Sequence, residues 1–174
     1  ALGRTEEQLI AMQANTEKHV GDAGACIFAA HLLMLKDRGF VSKIKARIEL
    51  GENPPAAVVS VAEEYSALFS AAPSQIIREK SQDISDVTRR VLANMMGHGD
   101  DSAAASGNIV IASDLYPSDM LKYFAQGIAG MILTSGGVTS HVAILARSLK
   151  IPLVISAADA LLPVAAGTDV LLDA

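Results

Sequence analysis

Two glycines, two hydroxyl side chains and a histidine stand together in the segment GGVTSH, residues 136–141, between an apolar run and a helical pattern. Glycines allow a chain to turn and allow backbone amides to approach a bound group closely. The pattern predicts a helix that begins at Thr139 or Ser140, either of which could cap it, and runs to about Lys150. His141 is therefore expected in the first turn of that helix.

Residues of these types, in this order, could transfer a phosphoryl group. A helix N-terminus has unpaired N–H groups and a partial positive charge, which favour a bound anion. An unprotonated imidazole is a nucleophile, and backbone amides with the hydroxyls of Thr139 and Ser140 could receive the charge of a phosphoryl group on His141. In the alternative interpretation, Thr139 or Ser140 merely caps a helix, Gly136 and Gly137 turn the chain, and His141 has no chemical role.

The elements that must position this segment follow from the periodicity of residues 108–174. Short apolar runs alternate there with segments of helical length: NIVIAS, GMILTS, IPLVIS and TDVLLDA. This alternation predicts four short strands in a mostly parallel sheet with packed helices, an α/β subdomain. GMILTS would end just before the glycines, so the histidine would follow the end of a strand.

Residues 1–97 carry apolar residues at helical spacing and predict an all-α bundle of helical hairpins. Five helices are expected: one from about Thr5, a possible cap, to Val20; one through Ile27 to near Asp37; the segment FVSKIKARIEL; one from Pro54 to about Phe69; and one from Pro73. The stretch at 98–107 is small and polar and is interpreted as a linker.

The last of these helices has two distinct sides. An apolar stripe is predicted to face the bundle, formed by Ile76, Ile77, Ile84, Val87, Val91, Leu92 and Met95. The other side is interpreted as a solvated or ion-paired face, formed by Arg78, Asp83, Asp86, Arg89 and Arg90. For His31, on the second helix, burial or packing is favoured over catalysis.

The composition argues against several kinds of protein and of binding partner. The chain has 174 residues, 51% of them apolar, and a formal net charge of −5, which disfavours nucleic acid and anionic membranes as partners. No apolar run approaches the roughly 20 residues that span a bilayer. Cys26 is the only cysteine, which excludes an intrachain disulfide and suits a cytoplasmic protein. The α/β half is small for independent folding, so we expect a piece of a longer protein.

The segment from Gly136 to His141, followed by AILAR and IP, resembles the phosphohistidine signature of the phosphoenolpyruvate-utilising enzymes. Three further stretches resemble the N-terminal domain of enzyme I, the phosphoenolpyruvate-protein phosphotransferase of the bacterial phosphotransferase system: IFAAHLLMLKD, REKSQDISDVTRRVL and SDLYPSDM. In that family the histidine takes a phosphoryl group from phosphoenolpyruvate and passes it to the small carrier HPr. The resemblance implies that His141 is the phosphorylated, catalytic residue.

The resemblance also implies surroundings for this histidine. The expected phosphate environment comprises Gly136, Gly137, Thr139, Ser140, Tyr116 and Arg147. Residues 1–97 would form an HPr-docking subdomain, with an apolar patch of Leu33, Met34 and Phe40 and with Asp37 at its edge. Packing of these residues into the bundle core is the alternative.

Partners and cofactors are implied in the same way. Phosphoenolpyruvate would bind with Mg²⁺ on a C-terminal barrel domain, so residues 1–174 are expected to need no cofactor and no metal of their own. They would exchange phosphoryl groups with HPr, would not react with phosphoenolpyruvate unaided, and would be monomeric. The histidines at 19, 31 and 98 do not form a spaced metal set.

The chain departs from the family pattern at three places. Val138 stands where arginine is common, and Tyr116 stands where a threonine is thought to hold the resting histidine. Lys36, Asp37 and Arg38 follow HLLML where sugar-system enzymes tend to carry several acids, which predicts a less basic carrier.

Two other functions remain open on these residues. One is the swivelling phosphohistidine domain of a dikinase or phosphoenolpyruvate synthase, proteins that lack the HPr-docking bundle. The other is a regulatory module that keeps the fold and has lost the chemistry. The pattern does not distinguish a sugar system from the nitrogen-regulatory branch.

Overall fold

The computed structural model describes residues 1–20, 22–97, 105–155 and 157–173. The chain forms two compact units, one of residues 1–14 with 26–101 and one of residues 15–25 with 102–174. Most of the predicted linker, and His98 with it, lies outside the described residues. In the part of the chain that the structure describes, no helix is both long enough and apolar enough to cross a membrane.

All five predicted helices of the first half are present. They are α1 (Leu2–Val20), α2 (Asp22–Leu35), α3 (Arg38–Glu49), α4 (Pro54–Ser70) and α5 (Gln75–Met96). Asp37 starts α3, because its carboxylate accepts the N–H of Phe40 at 2.7 Å. Thr5 was expected to cap α1 but lies inside that helix, where its hydroxyl accepts from Asn94 of α5 at 2.9 Å.

The core of the first unit is apolar and comes from all five helices. Its largest fully buried members are Leu9, Phe28, Phe40, Val58, Val61, Ile84 and Val87. Helix α4 packs along α5, and α3 packs against α4. The ring of Phe40 meets that of Tyr65 edge to face, with centroids 5.4 Å apart, and so joins α3 to α4.

The two sides of α5 differ in part from the prediction. The apolar stripe is buried at Ile84, Val87 and Val91, but Ile76 and Ile77 are 72% and 45% exposed. The pattern shows which side of α5 faces the bundle, but not how far its neighbours extend along it. The solvated interpretation is wrong for Asp83 and Asp86, which are both buried, and the ion-paired one is right for Asp83, which pairs with Lys80.

These two carboxylates enclose His31 in the interior of the first unit. His31 is fully buried, with its Nε2 3.4 Å from Asp83 Oδ1 and its Nδ1 3.9 Å from Asp86 Oδ2. Lys80, at the edge of the group, places its Nζ 2.7 Å from Asp83 Oδ2. The expected burial of His31 is confirmed, and the cluster fastens α2 to α5.

The phenol of Tyr65 leads us to expect a loss of folding stability at alkaline pH. Burial raises the pKa of its phenol above the usual 10.0, and the carboxylate of Asp37 adds to the shift. The neutral phenol therefore stabilises the fold fully below about pH 10, and this contribution is lost as pH rises through the higher pKa of the folded state. Thermal melts between pH 8 and 11 should show a shallower alkaline fall for Tyr65→Phe than for the wild type. Tyr123→Phe, in the other unit, is the control, and equal slopes for wild type and Tyr65→Phe would contradict the assignment.

The second unit contains a βαβαβ arrangement. Its elements are β1 (Ile109–Ala112), α6 (Pro117–Ala125), β2 (Gly130–Leu133), α7 (His141–Ser148) and β3 (Leu153–Ile155), followed by a 3-10 helix at Asp159–Leu161. The sheet is parallel in the order β1-β2-β3, with Ile109 opposite Gly130 and Met131 opposite Leu153. The predicted all-α bundle followed by an α/β subdomain with a parallel sheet is confirmed.

The fourth predicted strand, TDVLLDA, is wrong for the residues described. Residues 168–173 lie outside the sheet, and Leu171 is 94% exposed. A strand needs a neighbour for its backbone groups, and within the described residues this segment pairs with none. Leu172 instead packs its side chain close to Gly130 of β2.

Helices α6 and α7 lie on the same face of the sheet. Right-handed connections between neighbouring parallel strands place both helices on one side, and the two pack against each other. Their buried residues include Met120, Leu121, Val142 and Leu145. Both helices follow strands, so both N-termini point to the edge where the strands end.

Candidate functional site

The loops that follow β1 and β2 are joined at the carboxyl edge of the sheet. The N–H of Thr134 donates to the carbonyl of Ala112 at 3.1 Å. Ser135 donates its N–H and its hydroxyl to the carbonyl of Ser113, at 2.9 and 2.7 Å. The loop that leads to Tyr116 is thereby held beside the loop that leads to His141.

The turn between β2 and α7 needs one glycine for its conformation. Gly136 has φ +98°, a left-handed value that other residues rarely adopt. A Cβ there would meet Ile155 only at an ordinary 3.8 Å, so the dihedral angle and not space requires glycine. Gly137 lacks a positive φ, and its carbonyl accepts the N–H of Ser140 at 3.0 Å. The predicted turn is confirmed, with different roles for the two glycines.

His141 is the first residue of α7. Ser140 is the N-cap, because its hydroxyl accepts the N–H of Ala143 at 3.2 Å, whereas Thr139 precedes the cap and is exposed. The structure thus selects Ser140 from the two predicted caps, and α7 ends at Ser148, before Lys150. The half-buried imidazole lies at the positive end of a helix.

Tyr116 stands at the start of the other helix on this edge. It is half-buried in the N-cap position of α6, with Pro117 as the first helical residue. Just before it, the carboxylate of Asp114 accepts the N–H of Leu115 at 2.8 Å. The topology therefore brings the N-termini of α6 and α7 to one edge, and with them Tyr116 and His141.

Arg147 lies in the last turn of α7, six residues after His141 or about 9 Å along the axis. Its exposed side chain lines a groove of about 310 Å³ between α7 and β3, together with Val138, Ala146 and Leu153. Val138 connects this groove to the glycine turn. Among the residues predicted to surround the phosphate, Arg147 lies in the last turn of α7, at the end of the helix opposite His141.

The predicted docking residues separate into surface and core. Leu33 is 74% exposed, Met34 is half-buried, and Asp37 is exposed while it caps α3. Phe40 is 1% exposed and packs on Tyr65, so the core alternative holds for this residue. Its place in an exposed patch is wrong because the third residue of α3 turns into the bundle.

Three exposed apolar residues were missed because their spacing fitted the core pattern. Leu68 is 65% exposed, and Ile76 and Ile77 lie just beyond the α4–α5 connection. Contacts of Asp37 with Tyr65 and of His31 with Asp83 bring the end of α2 to the same end of the unit. We call the exposed residues there, Leu33, Leu68, Ile76 and Ile77, the apolar patch. The sequence signal that could have shown this exposure is the turn AAPS between α4 and α5, since residues beside a turn often lie beyond the packed part of a bundle.

Ser140→Ala should weaken the start of α7. Loss of an N-cap hydroxyl costs about 1 kcal/mol, because the N–H of Ala143 loses its partner. Chemical denaturation of the two proteins measures the difference. Ser148→Ala is the matched control, because its hydroxyl donates to a helix carbonyl instead. Equal losses from both variants would contradict a capping role for Ser140.

Comparison with known proteins relates both halves of the chain to one family. The family model of the N-terminal domain of PEP-utilising enzymes matches residues 1–80, and that of their mobile domain matches residues 104–174. The chain belongs to the PEP-utilising enzymes. The chain is 37% identical over 158 residues to the phosphoenolpyruvate-protein phosphotransferase of Geobacillus stearothermophilus. The match covers 89% of the chain and 27% of that relative, so the chain spans about a quarter of the relative's length.

Solved structures agree with this family assignment. A solution structure of Enzyme I superposes with a TM-score of 0.69 at 30% identity, covering 89% of this chain and 64% of that one. The N-terminal domain of a nitrogen Enzyme I also gives a TM-score of 0.69, at 20% identity, over 88% and 63% of the two chains, which shows the shared fold. The matches favour the enzyme I interpretation over the dikinase alternative.

Proposed function

We propose that this chain is the phosphoryl-transfer part of a phosphoenolpyruvate-protein phosphotransferase, carrying the phosphoryl group on His141 from phosphoenolpyruvate to an HPr-type carrier. The observation that carries the proposal is the position of His141. It is the first residue of a capped helix, at the sheet edge where a second helix also begins. The proposed compartment is the bacterial cytoplasm, which suits a chain with one cysteine.

The proposed chemistry needs little from the protein beyond a nucleophile and donors. The lone pair of an imidazole nitrogen of His141 attacks phosphorus, and the bond from phosphorus to the enol oxygen of phosphoenolpyruvate breaks. The oxygen keeps the electron pair, and the enolate gains a proton to become pyruvate. The carrier's histidine then attacks phosphorus and returns the electron pair to His141. Mg²⁺, bound with phosphoenolpyruvate on a barrel domain, would offset donor charge before the first transfer.

The N-terminal ends of α6 and α7 support this chemistry electrostatically. The transferred group spreads its charge over three oxygens, and catalysis of such transfers depends mainly on positioning and charge stabilisation. Backbone N–H groups at the start of a helix are donors with fixed positions. We assign the hydroxyl of Ser140 to holding the helix start and the exposed hydroxyl of Thr139 to the phosphoryl oxygens.

The proposed carrier contact is the apolar patch, with Met34 and Asp37 beside it. Scattered exposed apolar residues are ordinary, whereas several gathered at one end of a bundle are typical of interaction sites. The patch lies where α2, α4 and α5 approach one another in the first unit. Phe40 contributes indirectly, because its ring packs on Tyr65 and so holds α3 against α4.

Phosphoryl transfer can be tested on the chain itself. We would incubate it with phosphoenolpyruvate, a small amount of barrel-containing enzyme I and HPr, and record the intact mass. The expected result is a gain of one acid-labile phosphate that requires HPr. A folded chain, shown by circular dichroism, that gains no phosphate from any carrier would contradict the proposal and favour a regulatory module.

A further inference from the structure

Two lysines beside the apolar patch are ion-paired within the chain. Lys36 places its Nζ 2.7 Å from Glu6 Oε1, joining the end of α2 to α1. Lys80 places its Nζ 2.7 Å from Asp83 Oδ2, beside His31. Both lysines sit next to exposed apolar residues, and each already has a carboxylate of its own.

The two arginines of this region also have acidic neighbours. Arg38, the first residue of α3, follows Asp37, the cap of that helix. Arg78 precedes Glu79 and donates to the carbonyls of Ala72 and Pro73 at 3.0 and 2.7 Å. Its guanidinium therefore closes the α4–α5 connection.

The next charges along α3 cancel in the same way. Lys43 Nζ lies 2.9 Å from Glu64 Oε2, and Arg47 pairs with both Glu64 and Glu52. Around the patch, then, the cations named here are equal in number to the carboxylates named with them, and four of these cations are in contact with a carboxylate. The formal charges named at this end of the bundle therefore cancel.

We propose that the carrier of this chain presents an apolar, charge-balanced face rather than a ring of basic residues. This inference rests on the proposed carrier docking. Charges at the rim of an interface set the rate of encounter and its dependence on salt, more than affinity. A carrier with a ring of basic residues would find no excess of acidic side chains here. Its positive charges would instead face those of Lys36 and Arg38. Apolar contact with Leu33, Leu68 and Ile77 supplies the recognition instead.

The test is the salt dependence of phosphoryl transfer between the chain and its carrier. For a charge-balanced interface, the initial rate at 50 mM and at 500 mM KCl should differ by less than about twofold. A fall of about tenfold or more would overturn the inference, since it would show steering by opposite charges. No transfer to any carrier at either salt concentration would contradict the proposed function, and the inference with it.

Charge reversal at Arg38 sharpens the test. Arg38 is exposed and makes no hydrogen bond or ion pair with the residues that the structure describes, and glutamate suits a helix start. With a basic-rimmed HPr, Arg38→Glu should raise the rate about threefold at low salt and lose this gain at high salt. Lys45→Glu makes the same change of net charge about 10 Å further along α3 and should leave the rate unchanged. Equal effects of both variants, or a slower rate for Arg38→Glu with basic HPr, would overturn the inference.

Discussion

His141→Ala should abolish phosphorylation of this chain while leaving its fold intact. The imidazole is the proposed nucleophile, and loss of a nucleophile costs at least about a thousandfold in rate. The fold should survive because alanine favours helix and Ser140 still caps α7. The measurement is intact mass after incubation with phosphoenolpyruvate, barrel-containing enzyme I and carrier, with circular dichroism of both proteins.

Thr139→Ala is the matched control for this experiment. It changes an exposed residue of the same loop and keeps the histidine, so the chain should still gain one phosphate, more slowly. Acid-labile phosphate on His141→Ala would identify another histidine as the acceptor. His31 is an unsuitable alternative because its side chain is fully buried.

His31→Leu should destabilise the first unit by about 1–3 kcal/mol, because the buried carboxylates of Asp83 and Asp86 then face an apolar side chain in place of the imidazole. Domains of this size unfold at about 5–15 kcal/mol, so the loss is a large share of the total. Urea denaturation followed by circular dichroism measures it.

A combined variant separates lost pairing from lost packing. In His31→Leu with Asp83→Asn and Asp86→Asn, no buried carboxylate remains in the cluster, and we expect at least half of the lost stability to return. If the triple variant is no more stable than His31→Leu, the cost comes from the shape of the histidine rather than from its charge partners. A loss below about 1 kcal/mol in the single variant would contradict the cluster's role.

Local patterns predicted the helices and the parallel strands because their causes are local. Asp37 and Ser140 start helices through hydrogen bonds to residues only three positions away. Whether a residue at the end of a helix or strand is buried depends on residues distant in sequence. The periodicity of the element gives no information about those residues. Ile76 and Ile77 fitted the stripe of α5 yet lie outside the packed region, and TDVLLDA has strand composition without a described partner strand.

The candidate site divides in the same way. The order of glycine, hydroxyl and histidine residues predicted the start of α7, since these groups act within one turn. The position of Tyr116 near this edge was predicted only from the family resemblance. It depends on hydrogen bonds between Ser135 and Ser113, which are 22 positions apart. The buried position of Asp83 and Asp86 required knowledge that His31 lies opposite them.

The double hydrogen bond of Ser135 bears on how long a phosphorylated histidine would last. One carbonyl oxygen, that of Ser113, accepts both the N–H and the hydroxyl of Ser135, which uses both of its lone pairs. An unoccupied carbonyl at this edge could orient a water molecule toward phosphorus and promote hydrolysis. With this acceptor occupied, a nitrogen–phosphorus bond at His141 would have one fewer route to hydrolysis, and the proposed phosphoryl group would last longer.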